Sequence, residues 1–171
     1  AAAAPAAAAA VYVGFQPVAS VPSVARLEHR VFGDARSLHV RVAVDWPLPS
    51  SPVVYELMMR DGNKVNELQM TTVQREELRV RSGGPDTDRW FRVGYTHLQN
   101  TPAGRTQLTA MSARYMEQHP KYNAYSDNCR SFVDFLLKQT VTINPIWGKQ
   151  APRSPLEWMH ERQKTISRFW V

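Results

Sequence analysis

An α+β fold, an antiparallel sheet packed against helices, is predicted by three observations in this 171-residue chain. Apolar residues alternate with a period of two up to about Leu98, the period changes to about 3.6 after Thr101, and one cysteine falls in the first turn of a predicted helix. The length suits one domain, and the 43% hydrophobic content suits a buried core without disulfides or metal. Nine of the first ten residues are alanine and inflate that figure. Residues 1–10 read as an alanine-rich tail, or as unassigned positions written as alanine.

Val11 to Phe15 and Val18 to Val24 read as short extended segments, broken by Pro17 and Pro22 and expected at the periphery. The alternation from His39 to Trp46 predicts a strand, which the Pro47, Pro49 and Pro52 cluster ends before a second one, Val53 to Met59. Asp61-Gly62-Asn63 is a turn, Val65 to Val73 a third strand, and Arg75 to Leu78 a helical turn. After the Ser82-Gly83-Gly84-Pro85 loop, Asp88 to Leu98 closes the strand-rich half.

Thr101 is placed to cap a helix with Pro102 at its first position, and Leu108, Met111, Ala113, Tyr115 and Met116 recur at helical intervals until His119-Pro120. Ser126 or Asp127 is expected to cap a second helix, whose stripe is Cys129, Phe132, Val133, Leu136 and Leu137. Ser154-Pro155-Leu156-Glu157 opens a last amphipathic helix ending near Trp170, within a C-terminal extension of residues 148–171; the main domain spans residues 11–147. The aromatic end of this helix packs on the domain or docks a partner.

A single cysteine excludes an intrachain disulfide. The five histidines form no close ligand pair, so neither a metal nor another cofactor is expected. No long bulky apolar window and no basic leader are present, so neither a transmembrane segment nor a secretory signal is expected. The cytoplasm or another reducing compartment fits that usage. The net charge of +6 would suit nucleic acid, but Glu76, Glu77, Asp86 and Asp88 interrupt Arg75, Arg79, Arg81, Arg89 and Arg92. That pattern describes a solvated charged face and argues against nucleic acid as a partner.

A thiol in the first turn of a helix meets unsatisfied N–H groups and the positive end of the helix dipole, which favour a thiolate nucleophile. The competing reading of Cys129 is a small buried hydrophobe on the inner stripe. A nucleophile needs a base, and His39, opening a strand, is rigidly held. His119 precedes a helix-ending proline, His160 lies in the terminal helix, His29 in a charged segment and His97 at a strand end.

The block Lys121-Tyr122-Asn123, then Asn128-Cys129-Arg130-Ser131-Phe132-Val133-Asp134-Phe135-Leu136-Leu137, resembles the "KYN…NCxxFvxxLL" signature of circularly permuted papain-like enzymes. These include isopeptidases of the PPPDE type, lecithin:retinol acyltransferase-like proteins and bacterial cell-wall peptidases. Upstream, the histidine opening the strand Leu38 to Val44, the Val54-Tyr55-Glu56-Leu57 stretch and Val93-Gly94-Tyr95-Thr96 also resemble family patterns. The resemblance covers about Ser37 to Lys138. Histidine before cysteine is the permuted order, the reverse of papain's own. Two departures are Val40, where an aromatic often follows the histidine, and Ser131, where a second histidine is often found.

The resemblance implies a permuted papain-like fold with Cys129 as nucleophile, His39 as base and Glu56 as the residue orienting the imidazole, with Tyr55 or no third residue as alternatives. Asn128 is implied in the oxyanion site, and the competing reading of the residue itself is a helix cap. The implied activity is that of a thiol hydrolase acting on an amide or isopeptide bond, or a thiol acyltransferase. Its partners would be a protein, peptide or acyl-lipid substrate. The alternative is an inactive papain-like domain serving as a structural or protein-interaction module in a larger assembly.

Overall fold

The computed structural model describes residues 8–17, 38–60, 64–79, 89–123, 128–143, 155–157 and 159. Strand β1 spans Ala10–Pro17, β2 Leu38–Asp45, β3 Val53–Arg60 and β4 Val65–Thr72. A 3-10 turn at Glu77–Arg79 precedes β5 at Arg89–Thr96, helix α1 at Pro102–Gln118, helix α2 at Cys129–Thr140 and the short strand β6 at Val141–Ile143. The strands form one six-stranded sheet in the order β4-β3-β2-β1-β5-β6, antiparallel at each pairing. The α+β class with an antiparallel sheet and packed helices is thus present.

Residues 11–15 are not peripheral. β1 is an interior strand hydrogen-bonded to β2 on one side and β5 on the other. Both of its faces are covered, which is why Val11 to Phe15 are buried without interruption instead of alternating. Pro17 is tolerated because it sits at the strand's last position. The sheet also reaches into the alanine run: β1 starts at Ala10, Ala9 is buried, and the Ala9 carbonyl accepts from the Thr96 N–H at 2.9 Å. A featureless tail therefore does not describe residues 9 and 10. Val18 to Val24 and the Ser82–Pro85 loop lie outside the described residues.

The pleat sorts the side chains into two clusters. Val11, Val13 and Phe15 of β1, Val40, Val42 and Val44 of β2 and Tyr55 and Leu57 of β3 form the main core with Leu108 and Tyr115 of α1 and the α2 stripe. Tyr12, Ala43, Val54, Trp90 and Leu78 of the 3-10 turn form a smaller cluster on the opposite face. That turn is fixed by Arg75, whose Nε donates to Asp45 Oδ1 at 2.6 Å and whose Nη2 donates to the carbonyls of Trp46 and Ser50 at 2.8 and 2.9 Å. Arg75 is therefore engaged inside the fold, and Arg79 lies 3.7 Å from the same Asp45.

Thr101 caps α1 as expected, accepting from the Gly104 N–H at 3.2 Å, with Pro102 in the first turn. A side chain at Gly104 would run into the Gln99 carbonyl, so the close approach of the preceding loop needs glycine there. After α1 the chain is zipped onto the start of β4. The Asn66 N–H donates to the Pro120 carbonyl at 2.8 Å, Asn66 Nδ2 donates to that of His119 at 2.7 Å, and the Tyr122 N–H donates to that of Lys64 at 2.7 Å. Tyr122 itself is buried in the main core, so the Lys121-Tyr122-Asn123 block fixes the path that leads toward α2.

Asn128 caps α2; the expected caps Ser126 and Asp127 lie outside the described residues. The stripe Cys129, Phe132, Val133, Leu136 and Leu137 is buried as its spacing predicts. Of the last helix, residues 155–157 and 159 are described and helical. Met159 is fully buried in the main core, and the Leu156 N–H donates to Asp134 Oδ1 at 3.2 Å, tying this segment to α2. Trp158, Ile166, Phe169 and Trp170 lie outside the described residues. No described helix is long and apolar enough to cross a membrane.

Candidate active site

Three distant stretches of sequence deliver the candidate residues to one place. β2 supplies His39, β3 supplies Glu56, and the first turn of α2, which packs across both strands, supplies Cys129. By pleat parity, His39 and Glu56 belong to the face that carries Ala43 and Val54, whereas Cys129 belongs to the main core on the other. Side chains on opposite faces of a sheet can meet only where its ladder is interrupted. Here the β2–β3 pairing ends at Val42 and Tyr55, leaving residues 38–41 and 56–60 without backbone bonds to each other, while β1–β2 and β3–β4 continue. The site occupies this opening.

His39 is fully buried, and its Nε2 lies 2.8 Å from Glu56 Oε2. Burial works to raise the pKa of Glu56, but the bond to His39 and the charges of His39 and Arg41 outweigh it and hold the carboxyl below its usual range. An ionised carboxylate only accepts hydrogen bonds, so Nε2 carries the proton of this bond. Nδ1 is then the ring nitrogen left for the thiol. It is buried and makes no hydrogen bond of good geometry, yet Cys129 is close enough to act on the imidazole. Burial pulls the His39 pKa down, and the neighbouring Cys129 and Glu56 overcome that and push it up to about 9.

Asn128 resolves into a cap. Its Oδ1 accepts from the N–H groups of Arg130 and Ser131 at 3.0 and 3.1 Å, and its own N–H is 3.5 Å from Ser131 Oγ. This is a reciprocal capping box, with Ser131 in the position where the resemblance leads one to look for a histidine. The Phe132 N–H donates to the Asn128 carbonyl. The N–H of Cys129 itself is the first-turn donor that this cap does not engage, and the open end of the helix dipole lies at the thiol.

Tyr55, the alternative third residue, points into the main core on the opposite face of β3 from Glu56. Burial raises its pKa against the opposing influence of Trp46, Thr109 and Arg105, and it does not meet His39. One neighbour of the site is not legible in the sequence. Arg41 Nη1 lies 4.0 Å from Glu56 Oε1, and its guanidinium stands 5.1 Å from the centre of the Trp90 ring. A charged residue two positions after a strand histidine looks solvent-facing by alternation; its signal is the parity that it shares with His39.

Cys129 is 1% exposed and His39 0%. Neither side chain is open to solvent. Among the described residues, no group of three histidine, cysteine, aspartate or glutamate side chains could hold a metal ion. Glu56 is instead matched to His39 and Arg41, and Asp45 to Arg75 and Arg79. No protein-family model, no curated protein and no solved structure matches this chain.

Proposed function

We propose that this chain is a thiol hydrolase of the permuted papain-like kind, with Cys129 as nucleophile, His39 as base and Glu56 orienting the imidazole. The observation that carries the reading is the convergence of a helix N-terminal thiol on a buried histidine whose far nitrogen is held by an ionised carboxylate. That is the nucleophile, base and orienting group of a catalytic triad, in that order.

In this reading, the Cys129 Sγ proton passes to His39 Nδ1 and the thiolate attacks a substrate carbonyl carbon. The N–H of Cys129 is placed to stabilise the resulting oxyanion. As the C–N bond of an amide or isopeptide breaks, the imidazolium returns its proton to the leaving amine and a thioester remains. Water, deprotonated by His39, then attacks the thioester; the C–S bond breaks, the acid leaves and the thiol is restored. If an acceptor amine or alcohol replaces water, the same site transfers an acyl group. Glu56 keeps Nε2–H directed away from the sulfur throughout, which maintains the tautomer with Nδ1 facing it.

The burial of all three groups favours a second reading, an inactive domain that keeps the geometry as structure and serves as an interaction module. Intact-mass spectrometry separates the two. After incubation with panels of amide, isopeptide and thioester acyl donors, the enzyme reading expects an acyl adduct confined to Cys129, together with released amine or thiol. Absence of adduct and of turnover across the panels favours the interaction module.

A further inference from the structure

We infer that Arg41 is a positioning residue for the reaction proposed above: braced on Trp90, it holds one carboxylate oxygen of Glu56 so that the other stays on His39. The inference rests on the triad reading of His39 and Glu56.

The bracing follows from strand register. Gly14 of β1 pairs with Arg41 of β2 on one side and with Trp90 of β5 on the other, so the three residues form one row across three strands. Side chains in the outer positions of such a row are ordinarily separated by the middle one. Gly14 has none, and the indole lies over it: a Cβ there would come within 2.6 Å of the ring. The glycine thus lets Trp90 reach across β1 to the guanidinium, 5.1 Å away, in a cation–π arrangement. The planar group is held on one side by the ring, with Nη1 4.0 Å from Glu56 Oε1. Glu56 Oε2 is 2.8 Å from His39 Nε2. One carboxylate therefore lies between two basic side chains, hydrogen-bonded to His39 through one oxygen and in a longer ion pair with Arg41 through the other. Glu77, from the 3-10 turn, also acts on the Arg41 charge.

A carboxylate held at one oxygen alone rotates about its terminal torsion, which is broad. With Arg41 in place, that rotation breaks the second contact. The role of Arg41 is thus exerted through Glu56 on the direction of the imidazole, without contact with the reacting atoms.

The test uses the whole chain and needs no substrate. The low-field proton resonance of His39 Nε2–H and the rate of iodoacetamide alkylation of Cys129 are compared in the native protein, Arg41→Gln and Arg41→Lys. Arg41→Gln is expected to broaden or remove the resonance and to slow alkylation several-fold, with Arg41→Lys recovering part of both because it keeps the charge. Should Arg41→Gln fail to fold, Trp90→Leu removes the brace and leaves the charge, and is expected to shift both readouts in the same direction by less. The inference is overturned if a folded Arg41→Gln protein, or Trp90→Leu in its place, keeps the resonance and the rate. It is also overturned if glutamine and lysine lower thermal stability alike with no difference at His39. A native protein that turns over nothing while His39 responds to Arg41 as expected contradicts the hydrolase reading alone; turnover with an indifferent His39 contradicts the positioning role alone.

Discussion

Cys129→Ala is expected to reduce turnover to the uncatalysed background and, in the same protein, to lower the pH at which His39 titrates from about 9. The two effects share one cause. In the proposed reaction the thiol is the attacking atom, so its loss removes the covalent route, and it is also the leading influence that raises the pKa of the buried imidazole against desolvation. His39→Ala leaves the nucleophile but no base, and its expected loss is on the order of 10²- to 10⁴-fold, the usual contribution of a positioned acid–base group. Observing His39 by NMR across pH 5 to 10 in native and Cys129→Ala protein checks the electrostatic half without any substrate. An unmoved titration would mean that the sulfur and the ring do not interact.

Glu56→Gln is expected to destabilise the fold by roughly 3–5 kcal/mol near neutral pH, the usual cost of removing one partner of a buried ion pair. Glutamine nearly preserves the shape while leaving the His39 imidazolium and the Arg41 guanidinium without their counter-charge. The pH profile carries the sign. His39 has a folded pKa above its ordinary 6.5, so its contribution is complete below 6.5 and is lost as pH rises through about 9. Glu56 has a folded pKa below its ordinary 4.5, so its contribution is complete above 4.5 and is lost as pH falls through the depressed value. Stability from the pair therefore has its plateau between about 4.5 and 6.5 and declines on both sides. In Glu56→Gln the acid decline from this group disappears, and the alkaline decline starts and ends over a narrower range. Urea denaturation at closely spaced pH values measures both.

The local features of this fold were readable because they are local. The alternation at His39 to Trp46 and the stripe on α2 each place a residue on a face, and the structure puts β2 and α2 where those patterns lie. The place of a strand within a sheet is decided by pairing over long sequence distances, and nothing in Val11 to Phe15 names its two neighbours. The available sign of an interior strand was the run Val11 to Phe15 without a charged residue, which the structure buries throughout. The cap of α2 was expected one or two residues early because Ser126, Asp127 and Asn128 are all good caps, and it is Asn128 that the Ser131 hydroxyl completes.

At the site, Cys129 and His39 were named from the residues and Glu56 from the resemblance, with Tyr55 or no third residue as alternatives, and the structure places the three side by side. Arg41 was not named. Alternation assigns it to the polar face of β2, but that face is covered by Trp90 and Leu78. The covering depends on Gly14 standing opposite both Arg41 and Trp90, a register that no periodicity encodes.

Whether Cys129 and His39 act as one nucleophilic unit is read from the alkylation rate of the chain's single thiol at pH 7 in native protein and in His39→Ala. With no other cysteine to react, the signal has one source. The native thiol is expected to react faster by on the order of tenfold, since His39 takes up its proton. A rate in His39→Ala equal to or above the native rate would mean that the two do not act together and leave Cys129 as a buried structural residue.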